Sequence, residues 1–545
     1  MFPNVNRIDK SEKETKLPKI LTLKVDGTLS DKSLEALSLF LPGCRFEKAE
    51  NEATIVAALS KAPITTEGYM LTIKNGRILI EYSAYPGLRN ALATLSLLVR
   101  EEDDCLIIPD VKIEDHPIAE HRGVMLDVAR GTVPLDQLLS DMVLIAKSRY
   151  NVLHLHLSDA KGVAVEMSSF PEEYRIPNYY TRAEVRKIVR LADVLSLEII
   201  PEFDMPAHST RLNTIMTELR CDTDADPICL WTVCAGEEAV YELYEQVIRE
   251  ATEMFPGGRY FHIGGDELEF SDFVGEKRRV CHWGECRKCK KKMADEGIRD
   301  RQELYYYLAN RMNGYVKACG RKMIMWSDQI DCTRPAGMSK DILMQFWRVA
   351  APGRGPHEGC SMQGQLKLGY ELINSNHPST YVDEEHYMNS DNLSKWRWDE
   401  FPTVDDSLKS QIKGSEICAW EYGNREMYPH YNHSLPSAIV LAGDKLWSGR
   451  LEPYGKEAEI GVTRAVLGAA IPKDFNVFLA TGDIYPPRLN EPCYMDKVTC
   501  SPQELEKIAE VLSDSTLFKA GDSGRARIYK KCAEYALEHL SKKAN

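Results

Sequence analysis

Two adjacent acids, Asp266 and Glu267, follow an apolar run and a Gly-Gly pair in "RYFHIGGDELEF" (259–270). Neighbouring side chains on an extended chain point in different directions. Such a pair is either surface charge or a device that reaches two atoms of one bound molecule. Other candidate residues lie on or just after similar apolar runs: Arg122 and Asp127, Asp159, then Glu202, Asp204 and His208. Later runs end in Trp326, Trp347, Tyr381, Asp383, Trp420 and Glu421. Carboxylates, an arginine, a histidine and three tryptophans suit a sugar, because aromatic faces stack on pyranose C–H surfaces while charged groups hold hydroxyls. Each residue also has a plainer reading. A strand-end Asp commonly caps the next helix, a lone Trp commonly fills core, and His262 reads as a buried, hydrogen-bonded histidine.

The elements that must position these groups are eight apolar runs, at 122–129, 151–159, 197–204, 259–267, 322–328, 342–347, 379–384 and 415–420. Helical stretches separate them, so the pattern predicts parallel strands covered on both faces. No Gly-x-Gly-x-x-Gly turn follows any run, and a (β/α)8 TIM barrel fits better than an open nucleotide-binding sheet. In that fold the C-terminal strand ends carry the chemistry.

Before the barrel, residues 1–117 read as a small α+β domain. "EGYMLTIKNGRILIEYSA" (67–84) predicts a hairpin around Asn75-Gly76. A helix carrying Leu88, Leu92, Leu95 and Leu98 on one face comes next. The barrel is assigned to 118–470. The remainder, 471–545, reads as mostly helical, with Ser501, Pro502 and Glu504 forming a helix start.

With 545 residues the chain suits two or three domains, and 43% hydrophobic with 28% charged residues is a globular composition. A net charge of −14 argues against nucleic acid as a partner. The short basic run "RKCKKK" (287–292) is expected to be a solvated loop. No apolar stretch long enough to span a membrane and no signal-peptide core are visible. Scattered cysteines, fifteen in all, favour a cytoplasmic protein, with a trimmed leader as the route to secretion. Cys105, Cys229 and Cys418 lie in apolar contexts as small hydrophobes. Monomer and homodimer both stay open.

"HIGGDE" resembles the signature of glycoside hydrolase family 20, the β-N-acetylhexosaminidases. "HRGVMLDVARG", "HLHLSD", "PEFDMPAHS", "TYVDE" and "EICAWE" resemble its other strand motifs in the family's order. The resemblance implies a small carbohydrate substrate, no cofactor, and substrate-assisted hydrolysis, in which the sugar's own 2-acetamido oxygen attacks the anomeric carbon. It implies that Glu267 is the general acid and base and that Asp266 orients the acetamido group. Tyr381 would donate to the acetamido carbonyl, while Asp159 through His208 would set the proton balance. Trp326, Trp347 and Trp420 would wall the pocket. Arg122, Asp383 and Glu421 would hold the sugar hydroxyls. Ala160, Val163 and Ala207 depart from the family's usual residues, and "AWEYGN" reads one residue short, which loosens the role of Glu421.

A second motif stands apart. "CHWGECRKCKKK" offers Cys281, His282, Cys286 and Cys289 at C-x4-C-x2-C spacing. Structural zinc on Cys281, Cys286 and Cys289, redox-active thiols and plain loop cysteines are all open readings. Two alternatives to the hydrolase reading also stay open. One is a carbohydrate-binding protein that has lost catalysis; the other is a relative that releases disaccharides or takes modified sugars.

Overall fold

The computed structural model describes residues 4–449 apart from 26–28, 42, 103, 132, 226–227, 269–280, 333–336, 348–360, 384–395, 400–403 and 425–430. The helices expected over 471–545, with their start at Ser501, lie outside the described residues.

The first domain is one twisted sheet of β1 (Arg7–Pro18), β2 (Ile20–Val25), β3 (Arg45–Lys48), β4 (Ile55–Leu59), β5 (Tyr69–Lys74), β6 (Arg77–Tyr82), β7 (Arg100–Glu101) and β8 (Cys105–Asp115). Its order is β1-β8-β5-β6-β4-β2-β3, with β7 on β8. The hairpin forms as its sequence predicts: Lys74 pairs with Arg77, and Asn75 and Gly76 take φ of 51° and 80°. The helix Tyr85–Leu98 is buried from Gly87 onward because the sheet covers one side and the barrel helix Leu135–Lys147 the other. Buried Arg89 donates to the carbonyls of Ala146 and Tyr150, at 2.8 and 2.7 Å, satisfying orphan groups at that helix's C-terminus.

Eleven strands follow: β9 (His121–Asp127), β10 (Val152–Asp159), β11 (Gly162–Val165), β12 (Arg175–Tyr180), β13 (Glu198–Met205), β14 (Tyr260–Gly264), β15 (Lys322–Trp326), β16 (Leu343–Phe346), β17 (Leu372–Asn374), β18 (Tyr381–Val382) and β19 (Ile412–Ala419). Strands β9, β10, β13, β14, β15, β16, β17 and β19 pair in parallel, and β19 pairs back onto β9. This closes the (β/α)8 barrel. Val152, Ile200, Ile324, Leu343 and Ile373 fill one interior layer. Among the described residues no helix is long and apolar enough to cross a membrane.

Two expectations need correction. The seventh barrel strand is β17, a three-residue element, and the run at 379–384 instead supplies β18, a short strand paired to the end of β19. The basic run is helical, not looped. It lies in the helix Arg287–Glu296, which Cys286 caps by accepting from the Cys289 N–H, and Gly297 ends it at φ 66°.

Candidate active site

The acid pair sits on a sharp turn at the end of β14. Gly264 and Gly265 take φ of 71° and 99°, and a Cβ on Gly264 would lie 1.8 Å from Asp204 Oδ1. Only glycine lets the chain pass so close to that carboxyl and swing the acids over the barrel mouth. Glu267 itself has φ of 51°, and three contacts hold its turn. Its N–H donates to Asp328 at 3.0 Å, its carbonyl accepts from the Trp231 indole at 3.0 Å, and Gly265 O accepts from the Tyr305 hydroxyl at 2.7 Å.

His208 links the pair to the second strand. Its Nε2 lies 3.5 Å from Asp266 and 3.6 Å from Glu267, and its Nδ1 lies 3.1 Å from Asp159. Burial alone would push His208 down, but Asp204, Asp159 and Asp266 hold it well above the usual histidine range. Burial would raise Asp159, yet Arg130 and His208 keep it well below the usual carboxylate range. Asp204 goes the other way: burial, then the charge of Asp266, hold it well above that range. The mouth therefore mixes fixed anions, a protonated imidazole and a carboxyl that keeps its proton.

Beneath it runs a chain of alternating imidazoles and carboxylates. His121 meets Glu416 at 2.6 Å, Glu416 meets His154 at 2.9 Å, and His154 meets Glu202 at 3.1 Å. Glu202 then meets His156 at 2.6 Å, and His156 meets Asp159 at 3.1 Å. Every member is buried. His262 is a buried, hydrogen-bonded histidine, accepting from Gly264 N at 2.9 Å beside Glu202.

The aromatic residues form a box beside the acids. Trp347 stacks on Tyr381 with centroids 6.2 Å apart at 12°. Trp420 lies 6.0 Å from Tyr381 and 5.6 Å from Trp326. Trp326 is fully buried, its indole N–H donating to Glu202 at 2.7 Å, so it forms a floor. Burial raises the Tyr381 phenol well above its usual range, which keeps it a hydrogen-bond donor. The box suits a small apolar group with one polar end.

Arg122 does not belong to this site. It lies near the start of β9, at the opposite end of the barrel, fully buried against Glu67 of the first domain and the carbonyls of Arg149 and Ala119. The polar partners there, and Trp447 stacked at 5.2 Å, explain its placement. The arginine at the mouth is Arg130, bound to Asp127 and Asp159 at 2.9 Å each and lying over Trp420. Its signal was the same motif, "DVARG", past the strand's end instead of at its start. Asp127 serves as a local cap, accepting from the N–H groups of Ala129, Arg130 and Glu421. Glu421 thereby stands next to Arg130, and half-buried Asp383 follows β18. Trp231 was also missed. Its ring meets that of His208 at a tilt of 50°, centroids 4.2 Å apart, and it packs with Ala160, Ala207 and Cys229.

The proposed cysteine trio is not brought together. Cys286 and Cys289 cluster with Cys221 and Cys234, while Cys281 lies outside that group.

Comparison with known proteins gives the family and the fold. The family model described as "Glycosyl hydrolase family 20, catalytic domain" matches residues 120–448, and "Glycosyl hydrolase family 20, domain 2" matches 1–116. A β-hexosaminidase of Porphyromonas gingivalis is 28% identical over 345 residues, covering 59% of this chain and 42% of the relative. One from Vibrio furnissii is 27% identical over 427 residues, covering 70% and 66%. The chain thus spans less than two thirds of the length of these two curated relatives. A Flavobacterium johnsoniae chitobiase structure superposes with TM-score 0.72 at 22% identity, covering 99% of this chain and 89% of that one. The exo β-N-acetylglucosaminidase of Vibrio harveyi, solved with N-acetylglucosamine, gives 0.71 at 19% identity, covering 86% and 77%.

Proposed function

The chain belongs to glycosyl hydrolase family 20, and from that premise we propose that it is a retaining exo-β-N-acetylhexosaminidase. It would remove terminal non-reducing GlcNAc or GalNAc from oligosaccharides or glycoconjugates. The observation that carries the reading is the Asp266–Glu267 turn, with His208 within 3.6 Å of both acids, beside the Trp326, Trp347, Tyr381 and Trp420 box.

The step balances with these groups alone. Glu267 gives its proton to the glycosidic oxygen as the C1–O bond breaks. The acetamido carbonyl oxygen forms the new bond to C1, giving a cyclic oxazolinium. Asp266 accepts from the acetamido N–H and faces the positive charge that develops there. Tyr381 donates to the acetamido oxygen and aims it, and the tryptophans exclude water around the methyl group. Water then adds at C1 while Glu267 takes back a proton, so two inversions give net retention. His208 and Asp159 act as positioning residues behind Glu267, and Arg130, Asp383 and Glu421 are placed to meet ring hydroxyls. An intact acid pair favours this over a binding protein without activity, since binding alone requires no proton donor.

The test is initial rates on p-nitrophenyl β-N-acetylglucosaminide, the galactosaminide, and the matching glucoside lacking the acetamido group. Turnover of the first two without the third supports the mechanism; equal turnover of the glucoside sinks it. The ten free thiols among the described residues support a cytoplasmic location. The disulfide at Cys332 favours an oxidising one instead, and fractionation of the source cells separates the two.

A further inference from the structure

We infer that Cys221, Cys234, Cys286 and Cys289 bind one zinc ion in a closed, tetrahedral, all-thiolate site that braces the loop behind the acid pair.

Their four Sγ atoms lie within 4.8 Å of one another, and all four residues are buried. Cys234 Sγ is 3.5 Å from Cys286 Sγ and 3.6 Å from Cys289 Sγ. A disulfide would need about 2.05 Å. Four sulfurs at about 2.3 Å from a central zinc stand roughly 3.8 Å apart as the edges of a tetrahedron. The observed spacing is therefore close to a metal's coordination edge. None of the four is oxidised, although Cys332 elsewhere is disulfide-bonded.

The backbone around the thiols is built to hold them. Cys289 N–H points at Cys286 Sγ at 3.5 Å, the amide-to-sulfur contact of a C-x-x-C step at a helix start. Cys234 is anchored by its own N–H to Leu219 O at 2.8 Å, and Arg287 N–H to Asp222 O at 2.9 Å. A Cβ on Gly236 would lie 2.3 Å from Cys289 N, so the two loops meet backbone to backbone at the cluster. Four thiolates around a dication carry two net negative charges. Cations of the neighbouring basic run are paired with carboxylates: Arg287 with Asp222 and Asp224, Lys288 with Glu237, Lys291 with Asp295 and Lys292 with Glu238.

The brace ends at the mouth. Trp283, between Cys281 and Cys286, donates to Val233 O at 2.9 Å, and Val233 N–H donates to Pro206 O at 2.9 Å. Trp231, three residues before Cys234, packs at a tilt against the His208 ring and donates to Glu267 O.

The test is metal content of the tag-free full chain by inductively coupled plasma mass spectrometry, with X-ray absorption at the zinc edge. About one zinc per chain in a four-sulfur shell at about 2.3 Å is expected. Cys286→Ser and Cys234→Ser should lose the zinc, and Cys281→Ser should keep it. Released zinc should appear when a mercurial titrates the wild-type thiols. Folded wild type without zinc, iron in its place, a mixed nitrogen or oxygen shell, or a disulfide among the four would each overturn the assignment. Loss of zinc in Cys281→Ser alone would do the same. If the serine variants do not fold, the wild-type stoichiometry and absorption shell still decide.

Discussion

At the closed end of the barrel, Arg122 lies fully buried between Glu67, two backbone carbonyls and the Trp447 ring, with Arg149 paired nearby to Asp115 and Asp444. At the open end, Arg130 bridges Asp127 and Asp159, leans on Trp420 and keeps 18% of its side chain exposed. The two arginines lie eight positions apart, one near the start of β9 and one past its end, with the same kinds of neighbours: carboxylates and a tryptophan. What differs is access. The closed end joins two domains and leaves none of the Arg122 side chain exposed, whereas the open end leaves part of Arg130 accessible. Residue type and motif membership therefore do not separate a structural arginine from a functional one in this strand; the direction of the strand does.

The comparison breaks most sharply at the open end's proton donor. Glu267→Gln should lower kcat by roughly 10²- to 10⁴-fold with thermal unfolding little changed; a matching loss of stability would place this acid among structural groups. At the closed end, Arg122→Met should cost about 3–5 kcal/mol of stability by stranding Glu67, measured by denaturant unfolding, while the folded fraction keeps its kcat/KM. Arg130→Met should reverse that split. Removing a charged hydrogen-bond donor there is worth about 1.5–3 kcal/mol, so kcat/KM should fall roughly tenfold to a hundredfold with a smaller change in unfolding.

The smallest effect is in pH. Burial pushes His154 down, but Glu416 and Glu202 bring it up to about 9, and His208 is also raised. Groups raised in the folded state stabilise fully below their unfolded value of about 6.5, and that contribution fades as pH rises through the folded value. Asp159 and Glu202, both lowered, stabilise above the ordinary carboxylate range and lose that contribution at acid pH. Unfolding temperature should therefore fall on the alkaline side between about pH 6.5 and 9. His208→Asn should flatten part of that slope; an unchanged slope would remove His208 from the account.

Much of this was legible in the chain. Seven of the eight barrel strands announced themselves because long apolar runs are what a doubly covered parallel strand requires. The missed one, Leu372–Asn374, has three residues, too few for any period to register. Tyr381 was still placed correctly at the mouth, since β18 ends beside β19 whether or not it belongs to the barrel. The cysteine cluster was half legible: a C-x-x-C step is local, but Cys221 and Cys234 come from a loop more than fifty residues upstream. Only the fold brings that loop back. Trp231 was missed for the same reason, as it sits in an irregular segment that offers no pattern to read.

The alternating chain from Glu416 to His208 carries a consequence for how the protein answers to acidity. Its members touch in sequence, so a proton gained at one link changes the affinity of the next for its own, and the titration belongs to the whole column. The limbs of a pH–rate profile measured at the mouth are then macroscopic constants of a buried array. A substitution at the floor, far from any bound sugar, would move them without touching it.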